Sequence, residues 1–125
     1  MPANFFAIIV GAAFGALFRH AFSVWFAGTS AWLAFGTLIA NWTGAYLIGL
    51  IASVLEYFPH FSPNWRLLLI TGFLGSLTTF SGFSLEIIGM LQEQRWAAAV
   101  TTASLHLFGS LFLTVLGIET VQLFR

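Results

Sequence analysis

The chain of 125 residues has no cysteine, no aspartate and no lysine, and charged residues make up only 6% of it. Without cysteine there are no disulfides and no thiol chemistry, although this says little about compartment. Without aspartate, and with Glu56, Glu86, Glu93 and Glu119 read as lying at span ends or in loops, no nucleophilic triad can be assembled. The three histidines have no His, Cys or carboxylate neighbours at ligand spacing, which argues against zinc. We read no enzyme here. The net charge is zero and no basic patch appears, so nucleic acid is not an expected partner. The start, MPANFF, lacks the positive region of a signal peptide, so the first apolar segment is expected to be retained.

Apolar residues are abundant. They form 59% of the chain, and the mean hydropathy is +0.95. So few charges cannot cover a water-soluble globule, and that class is excluded. Four apolar runs emerge, at about 5–26, 32–55, 66–91 and 96–123. Each is long enough for a hydrocarbon core, which takes about 20 helical residues. Trp25, Trp32, Trp65 and Trp96 fall near the run ends, where indoles sit at the headgroups. The expected fold is an all-α membrane protein, a single domain over 1–125 with four transmembrane helices.

The third run contains the unusual stretch, GFLGSLTTFSGFS, from Gly72 to Ser84. Three glycines and two adjacent threonines weaken a helix, glycine by about 1 kcal/mol relative to alanine. The stretch therefore predicts a helix interrupted near Gly75–Thr79 that then resumes. Irregular backbone at membrane depth persists only when buried in protein or lining a polar cavity. A break there points to an ion or substrate site.

All four basic residues are arginines, and the expected topology divides them evenly. Arg66 and Arg125 fall on one side, Arg19 and Arg95 on the other, so the positive-inside rule has nothing to choose by. Either the count is too small to inform, or both orientations are inserted. In the second case two opposed copies pair antiparallel, with the inverted symmetry that transport sites often use.

Several faces carry polar or small residues. Gly11, Gly15 and Arg19 recur every four residues on the first helix, where glycines at that spacing permit close packing. Arg19 either snorkels to the interface or fixes a charge at a vestibule or helix end. On the second helix Gly36, Ala40 and Gly44 form a small-residue stripe. Asn41, near mid-span, needs hydrogen bonds there; it serves as interhelical glue or as an NH2 donor toward an anion. His106, Ser110 and Thr114 recur every four residues on the fourth helix as a polar track. Each hydroxyl alone can bond back to its own helix; three in register favour a path. Phe80 and Phe83 stand three apart, and ring edges carry partial positive charge that suits a small anion. With 15 phenylalanines in the chain, packing or lipid contact is the alternative for both. Mid-span donors without carboxylates argue for an anion over a cation or proton-coupled substrate.

Over essentially its whole length the sequence resembles the Fluc/CrcB family of small fluoride channels. The similar pieces are GAAFGALFR (11–19), GTLIANWTGAYLIG (36–49), GFLGSLTTFSGFS (72–84) and HLFGSLFL (106–113), with departures at His20, Ser76 and Gly82. The resemblance implies an antiparallel dual-topology homodimer in the bacterial inner membrane, with two pathways for passive fluoride export. It implies Phe80 and Phe83 as fluoride-coordinating rings and Asn41 as the pore-lining asparagine. Ser110 and Thr114 would continue the path, with His106 at its start and Ser81 as a further hydroxyl, and Arg19 would stand at a vestibule. A structural sodium ion would be held by the carbonyls of Gly75 and Thr78 from both subunits. Two alternatives remain from the residues alone: a small dual-topology multidrug-type exporter, and a structural subunit of a larger membrane complex.

Overall fold

The computed structural model describes residues 2–28 and 34–124. Trp32 and Arg125, which enter the span and charge expectations above, lie outside the described residues. Helix α1 is Pro2–Trp25 and α2 is Phe35–Tyr57. The third apolar span, Pro63–Gln92, comprises α3 over 63–77 and α4 over Phe80–Gln92. Helix α5 is Trp96–Leu123. Four spans are thus long and apolar enough to cross a membrane.

Local chemistry sets several of these ends. Ser62 caps α3 by accepting from the Asn64 N–H at 3.2 Å, and Pro63 occupies the first turn, where its missing N–H has no helical partner to lose. This starts the span three residues before the position expected from hydropathy. Between α4 and α5 the chain reverses through Gln94, which adopts a left-handed φ of 62°. The Arg95 N–H closes that turn on the Met90 carbonyl at 2.8 Å.

Helix α1 lies against α3, and α2 runs along the second half of α5. A β-carbon at Gly11 would strike the Leu68 carbonyl, and one at Gly15 the Phe73 carbonyl. The glycine face of α1 is therefore in backbone contact with α3. Gly117 does the same for α5 against the Tyr46 carbonyl of α2. In lipid there is little hydrophobic gain from helix association, so such close van der Waals contact is what holds the helices together.

Two small apolar cores flank α2. Leu38, Met90, Ala98 and Ala99 join it to α4 and α5, while Ala40, Leu74 and Leu77 join it to α3. The outer faces are apolar as well: Phe6, Leu17, Phe108 and Phe112 are all exposed. That inverts the pattern of a water-soluble protein and suits contact with lipid.

Candidate functional site

The site is built where α3 stops. Thr78 turns the chain out of the helix, at φ −88° and ψ 156°. Its N–H and its hydroxyl both donate to the Leu74 carbonyl, at 3.1 and 2.9 Å. Thr79 is also extended, at φ −147° and ψ 119°, and its hydroxyl caps α4 by accepting from the Gly82 N–H at 3.0 Å. Two extended residues at membrane depth need partners for their backbone groups.

Asn41 of α2 supplies them. Its Oδ1 accepts from the Thr79 N–H at 2.7 Å, and its Nδ2 donates to the Thr79 carbonyl at 3.1 Å. In an unbroken α-helix that N–H would go to the carbonyl of Gly75, four residues earlier. Asn41 thus diverts the helical donor of Gly75, which stands exposed at the groove described below.

The same Nδ2 lies 3.1 Å from Nδ1 of His106 on α5. Both amide hydrogens of Asn41 are therefore engaged within the chain, and donation to a passing anion requires one of those bonds to open. Its neighbour Trp42 grips the same stretch of α5, with Nε1–H donating to the Leu105 carbonyl at 2.9 Å. Leu105–Gly109 is wound as π-helix, wider than α. Nothing in the residue spacing signals that widening.

An open groove of about 530 Å³ runs beside this junction. Its lining includes Asn41, Phe80, Phe83, His106, Ser110 and Thr114, and also both proposed cation ligands, Gly75 and Thr78. Ser81 and Arg19 are not among its walls. Ser81 is exposed, with its hydroxyl 3.4 Å from that of Thr79. Arg19 instead donates from Nε to the Ser76 carbonyl at 2.9 Å, placing a cation against the carbonyl end of α3.

The rings of Phe80 and Phe83 have centroids 5.6 Å apart and planes inclined by 53°. Phe83 also packs on the His106 imidazole, at 4.5 Å between centroids. Phe80 is 77% exposed, so within one chain the pair has a wall on one side only.

The polar track differs along its length. Thr114 directs its hydroxyl at the Ala45 carbonyl, 2.9 Å away, and at its own helix at Ser110, 3.0 Å away. Its proton is committed. Among the described residues no hydrogen bond is made by the Ser110 hydroxyl. His106 is 5% exposed, and its Nε2 is buried without a partner among the described residues.

One expectation needs correction. Glu86 lies neither at a span end nor in a loop. It sits within α4, six residues before the helix ends at Gln92, and is half-buried. The Thr37 hydroxyl of α2 donates to its Oε2 at 2.5 Å, while Oε1 is buried without a partner among the described residues. The α4–α5 turn begins only at Glu93, so Glu86 falls inside the third span, whose far end agrees with the apolar run.

Comparison with known proteins agrees along the chain. A family model described as "CrcB-like protein, Camphor Resistance (CrcB)" matches residues 6–118. A "Fluoride-specific ion channel FluC" from Albidiferax ferrireducens is 54% identical over 114 residues, covering 91% of this chain and 87% of that protein. The protein of the same name from Polynucleobacter asymbioticus is 51% identical over 116 residues, covering 93% of each. The one from Bordetella petrii is 48% identical over 126 residues, covering 100% of this chain and 96% of its own length.

Proposed function

This chain belongs to the CrcB-like family, and on that premise we propose that it is a passive, fluoride-selective channel of the bacterial inner membrane. It works as an antiparallel dual-topology homodimer with two pathways. The observation that carries this reading is the junction at Thr78–Thr79, held extended by Asn41 beside the Phe80–Phe83 pair. The names of the relatives supply the ion.

Fluoride holds its water tightly, so each water lost must be replaced by donors on the wall. The groove offers them sparsely: the Ser110 hydroxyl, the phenylalanine edges and an Asn41 amide that opens from its internal partners. Sparse donors, with no arginine or lysine among the described lining residues, favour passage over trapping. The exposed face of Phe80 is where a second, inverted copy completes the wall.

The chemistry of the α3 end fits a sodium ion. Gly75 has lost its helical donor and borders the groove, and the carbonyl end of a helix carries partial negative charge. Gly75 and Thr78 carbonyls from two copies would hold the ion, which fastens the dimer and takes no part in conduction.

Glu86 gives a second reading some footing, because an intramembrane carboxylate is what a proton-coupled exporter uses. Planar-bilayer currents separate the two. A channel gives a reversal potential that follows the fluoride gradient and ignores chloride and pH. A potential that follows the proton gradient favours the exporter. No current from folded protein favours a structural subunit.

A further inference from the structure

The hydrogen-bond network around Asn41 fixes more than the backbone. Thr79 sets the orientation of the carboxamide, because its N–H needs Oδ1 and its carbonyl needs Nδ2. The remaining amide hydrogen of Nδ2 then points at His106 Nδ1, 3.1 Å away. That nitrogen must present a lone pair, so the ring is neutral and its single proton is on Nε2. An imidazolium would set N–H against N–H. The alternative carboxamide orientation would break both bonds to Thr79.

Nε2–H is therefore a donor, and it is buried with no acceptor among the described residues. Native proteins seldom leave such a group unpaired, since an unmade buried hydrogen bond is costly. The Thr102 hydroxyl, one turn earlier on the same face of α5, is also buried and unpartnered. Phe83 lies against the imidazole. An uncommitted donor thus belongs to the ring that packs on Phe83, whereas both hydrogens of Asn41 are spoken for.

Resting on the fluoride-channel reading, we infer that His106, locked by Asn41 as the neutral Nε2–H tautomer, supplies the conventional hydrogen bond to a small anion beside Phe83. While its internal bonds are closed, Asn41 acts on the ion through His106, as the residue that selects the tautomer. The ligand class is a compact, strongly accepting monovalent anion. Chloride, larger and a weaker acceptor, gains less from a single buried N–H.

The test uses the full-length protein in liposomes, with histidine labelled by nitrogen-15 and read by solid-state NMR. Without fluoride, His106 should show an unprotonated Nδ1 and a protonated Nε2. Sodium fluoride should shift the Nε2–H resonance, and sodium chloride should leave it in place. Two variants then divide the roles, because glutamine reaches toward the Nε2 position and asparagine toward Nδ1. His106→Gln should keep fluoride efflux within about threefold of wild type, while His106→Asn should lose about tenfold or more. Efflux retained in H106N and lost in H106Q would reduce His106 to a support for Asn41 and overturn the inference. So would a wild-type channel whose Nε2–H ignores fluoride. Absence of wild-type efflux would instead overturn the channel reading itself. Should either variant fold poorly, the wild-type spectra decide alone.

Discussion

Asn41 closes on both backbone polar groups of Thr79, accepting its N–H at 2.7 Å and donating to its carbonyl at 3.1 Å. One carboxamide from α2 thereby takes the place of the helical bonds that the third span gives up. Removing it should leave two partly buried backbone groups without their partner. Asn41→Leu is expected to destabilise the folded protein by roughly 2 to 4 kcal/mol and to silence flux. Asn41→Asp keeps the acceptor for the Thr79 N–H but loses both donors, so it should fall between wild type and the leucine variant. Equilibrium unfolding in detergent, read beside fluoride efflux, checks the order of the three.

The phenylalanine pair can be tested with little risk to the fold. Phe80 is exposed and Phe83 is only partly buried. Phe80→Ile and Phe83→Ile should each reduce fluoride efflux to background, with elution as an intact dimer. Normal efflux from both variants would remove the rings from the pathway.

Glycine substitutions should divide sharply by position. A β-carbon at Gly15 would meet the Phe73 backbone, whereas one at Gly89 meets nothing within 4 Å. Gly15→Val should force α1 from α3 and yield little folded protein. Gly89→Ala should be tolerated, and should gain about 0.5 to 1 kcal/mol from its helix-interior position. Yield and unfolding midpoint measure both.

Arg19 is expected to act on the end of α3 through Ser76. Arg19→Met removes a charge-assisted bond and a favourable interaction with the helix end, a loss of about 1 to 3 kcal/mol. Arg19→Lys should recover part of it, since lysine keeps the charge but not the shape of the Nε donor. Unfolding midpoints that do not separate the three proteins would leave Arg19 at the interface with no structural part.

Sodium is expected to hold the dimer together. Exchange of all sodium for a large organic cation should lower dimer stability and slow efflux, and returning sodium should restore both. Unchanged dimer and flux after thorough exchange would remove the ion from the account.

Much of this arrangement is legible in the residues because it depends on periodicity. Four apolar runs give four spans, and Gly11 and Gly15, four apart, give the face of α1 that meets α3. The density of glycine and threonine marks the stretch around Thr78. What stays hidden is pairing at long range. Asn41 and Thr79 are 38 positions apart, and nothing local shows that one will bond the other. Arg19 shares its face with two glycines, but its partner is a backbone carbonyl, which every residue has. The apolar run passes through Glu86, yet nothing local shows that the carboxylate lies within α4, half-buried, rather than toward the end of the span. Its Thr37 partner, on α2, is what makes the position tolerable. The π-helical turns at Leu105–Gly109 have no sequence signature, and with them goes the grip of Trp42 on Leu105.

The central claim is that this protein alone lets fluoride, and little else, run down its gradient. It is tested most directly by efflux from liposomes loaded with potassium fluoride or potassium chloride, followed with ion-selective electrodes after a potassium ionophore is added. The account predicts rapid fluoride release with chloride retained, and no need for a pH gradient. Folded, dimeric protein that releases neither ion, or both alike, would contradict it.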